Sequence, residues 1–138
     1  MQLSDRVMAH FKRPTHAGSL DRNDPAVVAI NIESRDRGDV IRLQVRLDST
    51  GTVLEEVRFR AMGCPSLIAA ADLAAEWMEG KSLDDAPICS VQIAAALDLP
   101  QDKLHSAHLA AEAVRTLLDA CSSRTQAGSD RSAARQSG

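Results

Sequence analysis

Aromatic residues are almost missing from this chain of 138 residues, which holds one Trp, two Phe and no Tyr. Any core it builds must therefore be aliphatic and rich in alanine. The same scarcity excludes a stacking platform for single-stranded nucleic acid, which needs exposed aromatic faces in a basic groove. A formal charge of −3 removes the footprint of a polyanion binder as well. No apolar run approaches the roughly 20 residues that span a bilayer. The N-terminal Met1-Gln2-Leu3-Ser4-Asp5-Arg6 lacks the basic start and apolar stretch of a secretory signal. Cysteine is scarce too. Cys64, Cys89 and Cys121 are an odd number with no short-spaced motif, which argues against a disulfide framework and for reduced thiols in a cytoplasmic setting. Neither a membrane nor a nucleic acid is expected as a partner.

What remains is the composition of an ordinary globular domain, 44% hydrophobic and 25% charged, in a chain long enough to bury a core without disulfide staples. Val7, Met8 and Phe11 fall at helical spacing, so residues 3–11 are expected to form a short helix that Pro14 stops. Residues 14–25 are expected to be an irregular connector. The period then changes to two. Val28, Ile30 and Ile32 alternate with polar or small residues, as do Ile41, Leu43, Val45 and Leu47 and, after Asp48-Ser49-Thr50-Gly51, Val57, Phe59 and Ala61. Such alternation marks antiparallel strands with one buried and one solvated face.

Pro65 sits where a helix accepts proline, at its first position, and Gly80 ends that helix. Ser82-Leu83-Asp84-Asp85 reads as a further helix start, and Ser90 as the cap of a short helix through Leu97. Pro100-Gln101-Asp102 begins the longest helix, expected to end near Cys121. From Ser122 no apolar residue is larger than alanine, so residues 122–138 are expected to be a disordered polar tail on a domain of residues 1–121. Three strands followed by helices imply an α+β fold, a small three-stranded antiparallel sheet with helices packed on one face.

Three segments fall at predicted breaks between elements: Arg37-Gly38-Asp39, Gly63-Cys64-Pro65 and Leu104-His105-Ser106. Ends of elements converge at one rim of a two-layer fold more readily than their middles do. Together these segments offer a carboxylate, a thiol and an imidazole, a donor set that suits zinc or ferrous iron. The N-terminus of a helix favours the thiolate form of Cys64. His108 lies three residues after His105 on the same helical face and is a further candidate ligand. Cys89 and Cys121 read as buried structural residues. Arg42, Arg46, Arg58 and Arg60 on the outer face of the strands read most simply as a solvated surface, with a basic patch for an acidic partner as the minority view.

His10-Phe11-Lys12-Arg13-Pro14, Gly18-Ser19-Leu20-Asp21, Gly38-Asp39-Val40, Met62-Gly63-Cys64, Ala74-Ala75-Glu76-Trp77 and Lys103-Leu104-His105 occur in an order and at separations that resemble the IscU/NifU-type iron–sulfur cluster assembly scaffolds, from about His10 to Ala120. The resemblance implies a SufE/NifU-like fold. It makes Cys64 a cluster ligand, His105 a ligand or near-ligand, and Asp39 a residue associated with cluster release. It also implies three cluster cysteines, and here Arg37 stands at the first position and Ser106 at the third. A two-iron cluster takes four protein ligands, mostly thiolates, so an intact [2Fe-2S] cluster is not expected. The expected function is that of a scaffold-like protein, not an enzyme, with a degenerate site holding one zinc or iron ion through Asp39, Cys64 and His105. The alternatives are an adaptor or regulator that docks a cysteine desulfurase, and a sulfur carrier using Cys64. The implied partner is a cysteine desulfurase or another iron–sulfur assembly protein. Docking of the family's dedicated chaperone is not expected, because its Leu-Pro-Pro-Val-Lys stretch is here Leu99-Pro100-Gln101-Asp102-Lys103, and Asp102 is costly to bury in an apolar groove.

Overall fold

Alternation along the strands sets the register of the sheet. The computed structural model describes residues 4–129, with side chains through residue 123. β1 (Val27–Ser34), β2 (Asp39–Leu47) and β3 (Leu54–Met62) form one antiparallel sheet in the order β1-β2-β3. Ile32 lies opposite Ile41, Ile30 opposite Leu43 and Val28 opposite Val45; across β2, Leu43 meets Phe59 and Val45 meets Val57. A slip of one residue would turn this whole set to solvent. Arg42, Gln44, Arg46, Arg58 and Arg60 occupy the opposite face. Gln44 is nonetheless buried, because the connector crosses over it and Leu20 N–H donates to Gln44 Oε1 at 2.9 Å.

Two helices cover the apolar face: α2 (Pro65–Met78), with α1 (Asp5–Lys12) packed on it, lies over β3, while α4 (Leu104–Ser129) lies over β1 and β2 and carries α3 (Ser90–Leu97), which also touches α2. The α+β architecture expected from the sequence is the one observed. Ala69, Ala70, Ala71, Ala74 and Ala75 of α2 and Ala107, Ala110 and Ala113 of α4 are all buried. Their small side chains let helix and sheet approach closely, and Leu43, Val45, Leu54, Leu67, Met78, Ile93 and Leu117 fill the remaining space. Among the described residues no helix is long and apolar enough to cross a membrane.

The outer edge of β3 does not stay open. Phe59 N–H donates to His16 O, and Gly18 N–H donates to Phe59 O, both at 2.9 Å. The connector expected to be irregular therefore contributes a short bridge, Ala17 to Phe59, that blunts a sheet edge. Lower on the same strand, Gly80 and Lys81 pair with Leu54, and Leu83 N–H donates to Thr52 O. That pairing is why Ser82–Asp85 forms a turn and not the helix start expected: the backbone of residues 80–83 is committed to the sheet, and Ser82 Oγ closes the turn on Asp85 Oδ2 at 3.1 Å.

Two other expectations are corrected. Cys89, not Ser90, caps α3, and its N–H donates to Gln92 Oε1 at 3.0 Å. After a single 3-10 turn at Gln101–Lys103, α4 continues to Ser129. The segment 122–129, expected to be disordered, is thus helical: no proline interrupts it, and propagation from a helix already nucleated tolerates its serines, threonine and glycine. Residues 130–138 of the expected tail, and Leu3 of the expected first helix, lie outside the described residues.

Two carboxylates on α2 hold the N-terminal segment in place. Asp72 is fully buried, its Oδ2 lies 2.6 Å from His10 Nδ1, and its Oδ1 accepts from His16 N–H at 2.9 Å. Glu79, at the end of α2, receives His16 Nε2 at 3.0 Å, Val57 N–H at 2.9 Å and Arg58 NH1 at 2.9 Å. Replacing Asp72 with alanine leaves buried donors unpaired, and the Asp72→Ala variant is expected to lose about 2–4 kcal/mol, read as a lower urea midpoint with an unchanged slope. Burial alone would raise Glu79, but the donors from Val57, His16 and Arg58 outweigh it and hold the carboxyl below its ordinary value of 4.5. A depressed folded pKa contributes stability that is complete above the unfolded value and lost as the pH falls through the folded one. Glu79→Gln should therefore flatten the decline in stability below about pH 4.5, as measured by urea unfolding from pH 7 to pH 3.

Candidate functional site

The turn between β1 and β2 closes with Gly38 in the left-handed region, φ +71°, its N–H donating to Ser34 O at 2.8 Å. This turn delivers Asp39 as the first residue of β2, where it pairs with Ser34 and is only 6% exposed. At the far end of β3 the chain passes through Gly63 into Cys64, the N-cap of α2, whose carbonyl accepts from Leu67 and Ile68 N–H. Pro65 occupies the first helical position, where its missing N–H costs nothing. α4 begins at Leu104 and so places His105 and Ser106 in its opening turn.

These three element ends meet. A Cβ built on Gly63 would lie 2.7 Å from Asp39 Oδ1 and 2.5 Å from Leu67 Cδ2, so the Asp39 carboxylate rests directly against the backbone that carries Cys64. Cys64, half-buried, has its Sγ 3.6 Å from Ser106 Oγ, and Ser106 is fully buried. His105 is half-buried beside Arg37 and Asp39. Burial and the Arg37 guanidinium push its pKa below the ordinary 6.5, against the opposing pull of Asp39, so the ring is a neutral imidazole at pH 7. Asp39, Arg37, His105, His108 and Glu112 line a shared cavity of about 210 Å³.

The ends of β2, α2 and α4 come together at one rim through the Asp39–Gly63 and Cys64–Ser106 contacts. Among the described residues no three His, Cys, Asp or Glu side chains are grouped so as to hold an ion. The reason lies in helix geometry. Successive residues on α4 point about 100° apart, so when Ser106 faces Cys64, His105 is turned to the flank shared with Arg37. His108 is exposed and lines the same cavity as His105 and Asp39, not the Cys64 side. Cys121 is buried as expected, whereas Cys89 is exposed, its backbone having been taken for the α3 cap.

Ser106 is the residue whose importance the pattern of apolar residues understates. It falls in register with Ala110, Ala113 and Leu117, all buried, which is the signal that it points inward. The rim offers one thiol, one buried hydroxyl and a nearby guanidinium, whereas a two-iron cluster takes four ligands that are mostly thiolates.

Comparison with known proteins agrees with this architecture. The family model described as NifU-like N terminal domain matches residues 2–127. The iron–sulfur cluster assembly scaffold protein IscU of Azotobacter vinelandii is 40% identical over 116 residues, covering 83% of this chain and 90% of that protein. The protein of the same name from Escherichia coli K12 is 37% identical over 128 residues, covering 92% and 99%. Among solved structures, a putative iron–sulfur cluster assembly scaffold protein from Fervidobacterium islandicum AW-1 superposes with a TM-score of 0.67 at 18% identity, covering 83% of this chain and 95% of that one. The N-terminal part of a NifU-like protein from Brucella abortus gives 0.67 at 14% identity, covering 87% and 94%, a likeness of fold alone. With that family model spanning nearly the whole chain, and relatives at 37–40% identity aligned almost end to end, the chain belongs to the NifU-like N-terminal domain family.

Proposed function

We propose that this protein is an iron–sulfur cluster assembly scaffold with a degenerate site, one that takes up a single zinc or iron ion through Asp39, Cys64 and His105. The IscU relatives support the scaffold role. One observation carries the degenerate reading: Cys64 Sγ faces the buried Ser106 hydroxyl at 3.6 Å, so the neighbour that would make a thiolate pair is a group that stays protonated at neutral pH. The neutral imidazole of His105 is the form that ligates a metal. Cys64, at the N-cap of α2, presents its sulfur at the same rim. Asp39, already against the Gly63 backbone, adds a carboxylate. The protein acts in the cytoplasm, is not an enzyme, and works beside another iron–sulfur assembly protein, of which a cysteine desulfurase is the best match to a lone receptive thiol.

A second reading, a metal-free adaptor that docks such a partner, is favoured by the lack of a ready-made metal site among the described residues. Metal content separates the two. Protein purified without chelators should carry about one zinc or iron per chain, and Cys64→Ala should lose it; a parent protein that carries no metal would favour the adaptor. Two irons and two sulfides per chain with a lasting visible chromophore would overturn the degenerate site itself.

If Arg37 and Ser106 are what make the site degenerate, Arg37→Cys with Ser106→Cys should restore cluster binding on anaerobic reconstitution, while either change alone should not, because it leaves only two thiolates where a cluster is held mostly by thiolates. Arg37 is exposed on its loop and accepts the change readily. Ser106 is fully buried, and the larger sulfur there should cost about 1–3 kcal/mol, so the melting temperature is measured alongside iron and sulfide. A folded double variant that holds no iron would remove these two residues as the cause.

A further inference from the structure

The outer face of the sheet carries four arginines in two different states. Arg46 pairs with Glu56 at 2.9 Å and approaches Glu55 at 3.6 Å; Arg58 pairs with Glu56 at 3.1 Å and with Glu79 at 2.9 Å. At the other end of the same strands, Arg42 and Arg60 stand directly opposite each other across β2 and β3. Among the described residues no carboxylate comes within ion-pair distance of either one. Arg60 Nε donates to Ser19 Oγ at 2.7 Å, and Arg42 Nε is buried with no hydrogen-bond partner. Like charges placed opposite on adjacent strands destabilise a sheet. The fold thus neutralises one half of this face and leaves the other half uncompensated.

Arg42 and Arg60 line an open groove of about 580 Å³ together with Asn31, Glu33, Val40 and Met62. Glu33 is the only acidic side chain in that wall, so the groove stays net positive. Met62 is 70% exposed and leads directly into Gly63 and Cys64. A surface with two unpaired guanidiniums beside a bare thioether is complementary to a peptide that brings carboxylates and an aliphatic side chain together.

We propose that this groove docks an acidic, extended segment of a partner protein, with a carboxylate between Arg42 and Arg60 and an aliphatic side chain on Met62. Because β3 runs from Arg60 through Met62 to the rim, a partner held there is delivered beside Cys64. The docking does not depend on whether Cys64 binds an ion, so its failure would leave the metal reading untouched. Nucleic-acid phosphate is the less suited occupant: the net charge of the chain is −3, and the groove has no aromatic side chain on which a base could stack.

The probe is a synthetic hexapeptide of four glutamates and two leucines, titrated into the full-length, isotopically labelled chain at low salt and followed by amide chemical shifts. The expected perturbations centre on Asn31, Val40, Arg42, Arg60 and Met62 and fade as salt is raised. Arg42→Gln with Arg60→Gln should weaken binding by about tenfold or more, while Arg46→Gln, at an already paired arginine, should leave it unchanged. The double variant should also be at least as resistant to urea as the parent, since it removes a like-charge opposition; a purely structural role for the two arginines would lower the midpoint instead. Should the double variant not fold, Arg60→Gln alone, at an exposed residue, replaces it with a smaller expected loss. The proposal is overturned if the peptide leaves the groove unperturbed, if the arginine variants bind it as the parent does, or if an oligothymidylate shifts the same amides at lower concentration than the peptide.

Discussion

The geometry of the rim depends on one close approach, that of the Asp39 carboxylate to the backbone of Gly63. A Cβ there would lie 2.5 Å from Leu67 Cδ2 and 2.7 Å from Asp39 Oδ1, so any side chain at residue 63 would push both of those side chains aside. Because residue 63 is glycine, the start of β2 and the start of α2 can touch. That contact fixes Cys64 as the N-cap of α2 at the height where the first turn of α4 passes, and Ser106 then meets the thiol. The packing of alanines between α2, α4 and the sheet allows the same closeness further in. Small residues therefore serve one purpose at two depths, bringing backbones together so that short polar side chains can reach one another.

The opposite end of α2 is held by a different kind of force. Asp72 and Glu79 are acceptors surrounded by donors from His10, His16, Val57 and Arg58, so the N-terminal segment is fastened to α2 and to β3 by charge-assisted hydrogen bonds. The same segment covers the edge of β3 and crosses the outer face as far as Ser19 and Leu20. The placement of Glu56 on β3 and of Glu79 at the end of α2 decides which arginines on that face find carboxylates. Arg58 lies where Glu79 is within reach, whereas Arg42 lies beyond any such partner among the described residues.

How much of this could be read from the chain itself follows from which interactions are local. The strands and the start of α2 were legible because a period of two and a Pro65 after Gly63-Cys64 are statements about neighbouring residues. Ser82–Asp85 was misread because what decides its conformation is a hydrogen bond from Leu83 to Thr52 across a turn, which no local pattern carries. The extent of α4 past Cys121 was missed for the opposite reason. Polarity was taken as the end of order, while a helix already nucleated over Leu104 to Cys121 needs only the lack of a breaker to continue. For the candidate site, the meeting of Asp39, Cys64 and the start of α4 was legible from their places at element ends. Which residue of the pair His105-Ser106 faces the thiol was not, because it depends on the rotation of α4 about its axis.

That rotation has a chemical consequence. The residue that points at Cys64 is the one with no charge and no metal affinity of its own, and the residue with a coordinating nitrogen is turned toward a guanidinium. Burial and Arg37 both act on His105 in the same direction, disfavouring a second positive charge next to the ring; Asp39 acts against them. The same balance applies to a cation approaching this flank: Arg37 repels it, Asp39 attracts it, and the neutral imidazole offers a lone pair without adding charge. Asp39 and His105 are thus groups on this flank that favour a cation. A two-iron cluster is held mostly by thiolate charge, and neither Ser106 nor Arg37 supplies any. The two positions that differ from the family pattern therefore act on the same quantity, the negative charge available at the rim, one by omitting it and the other by opposing it.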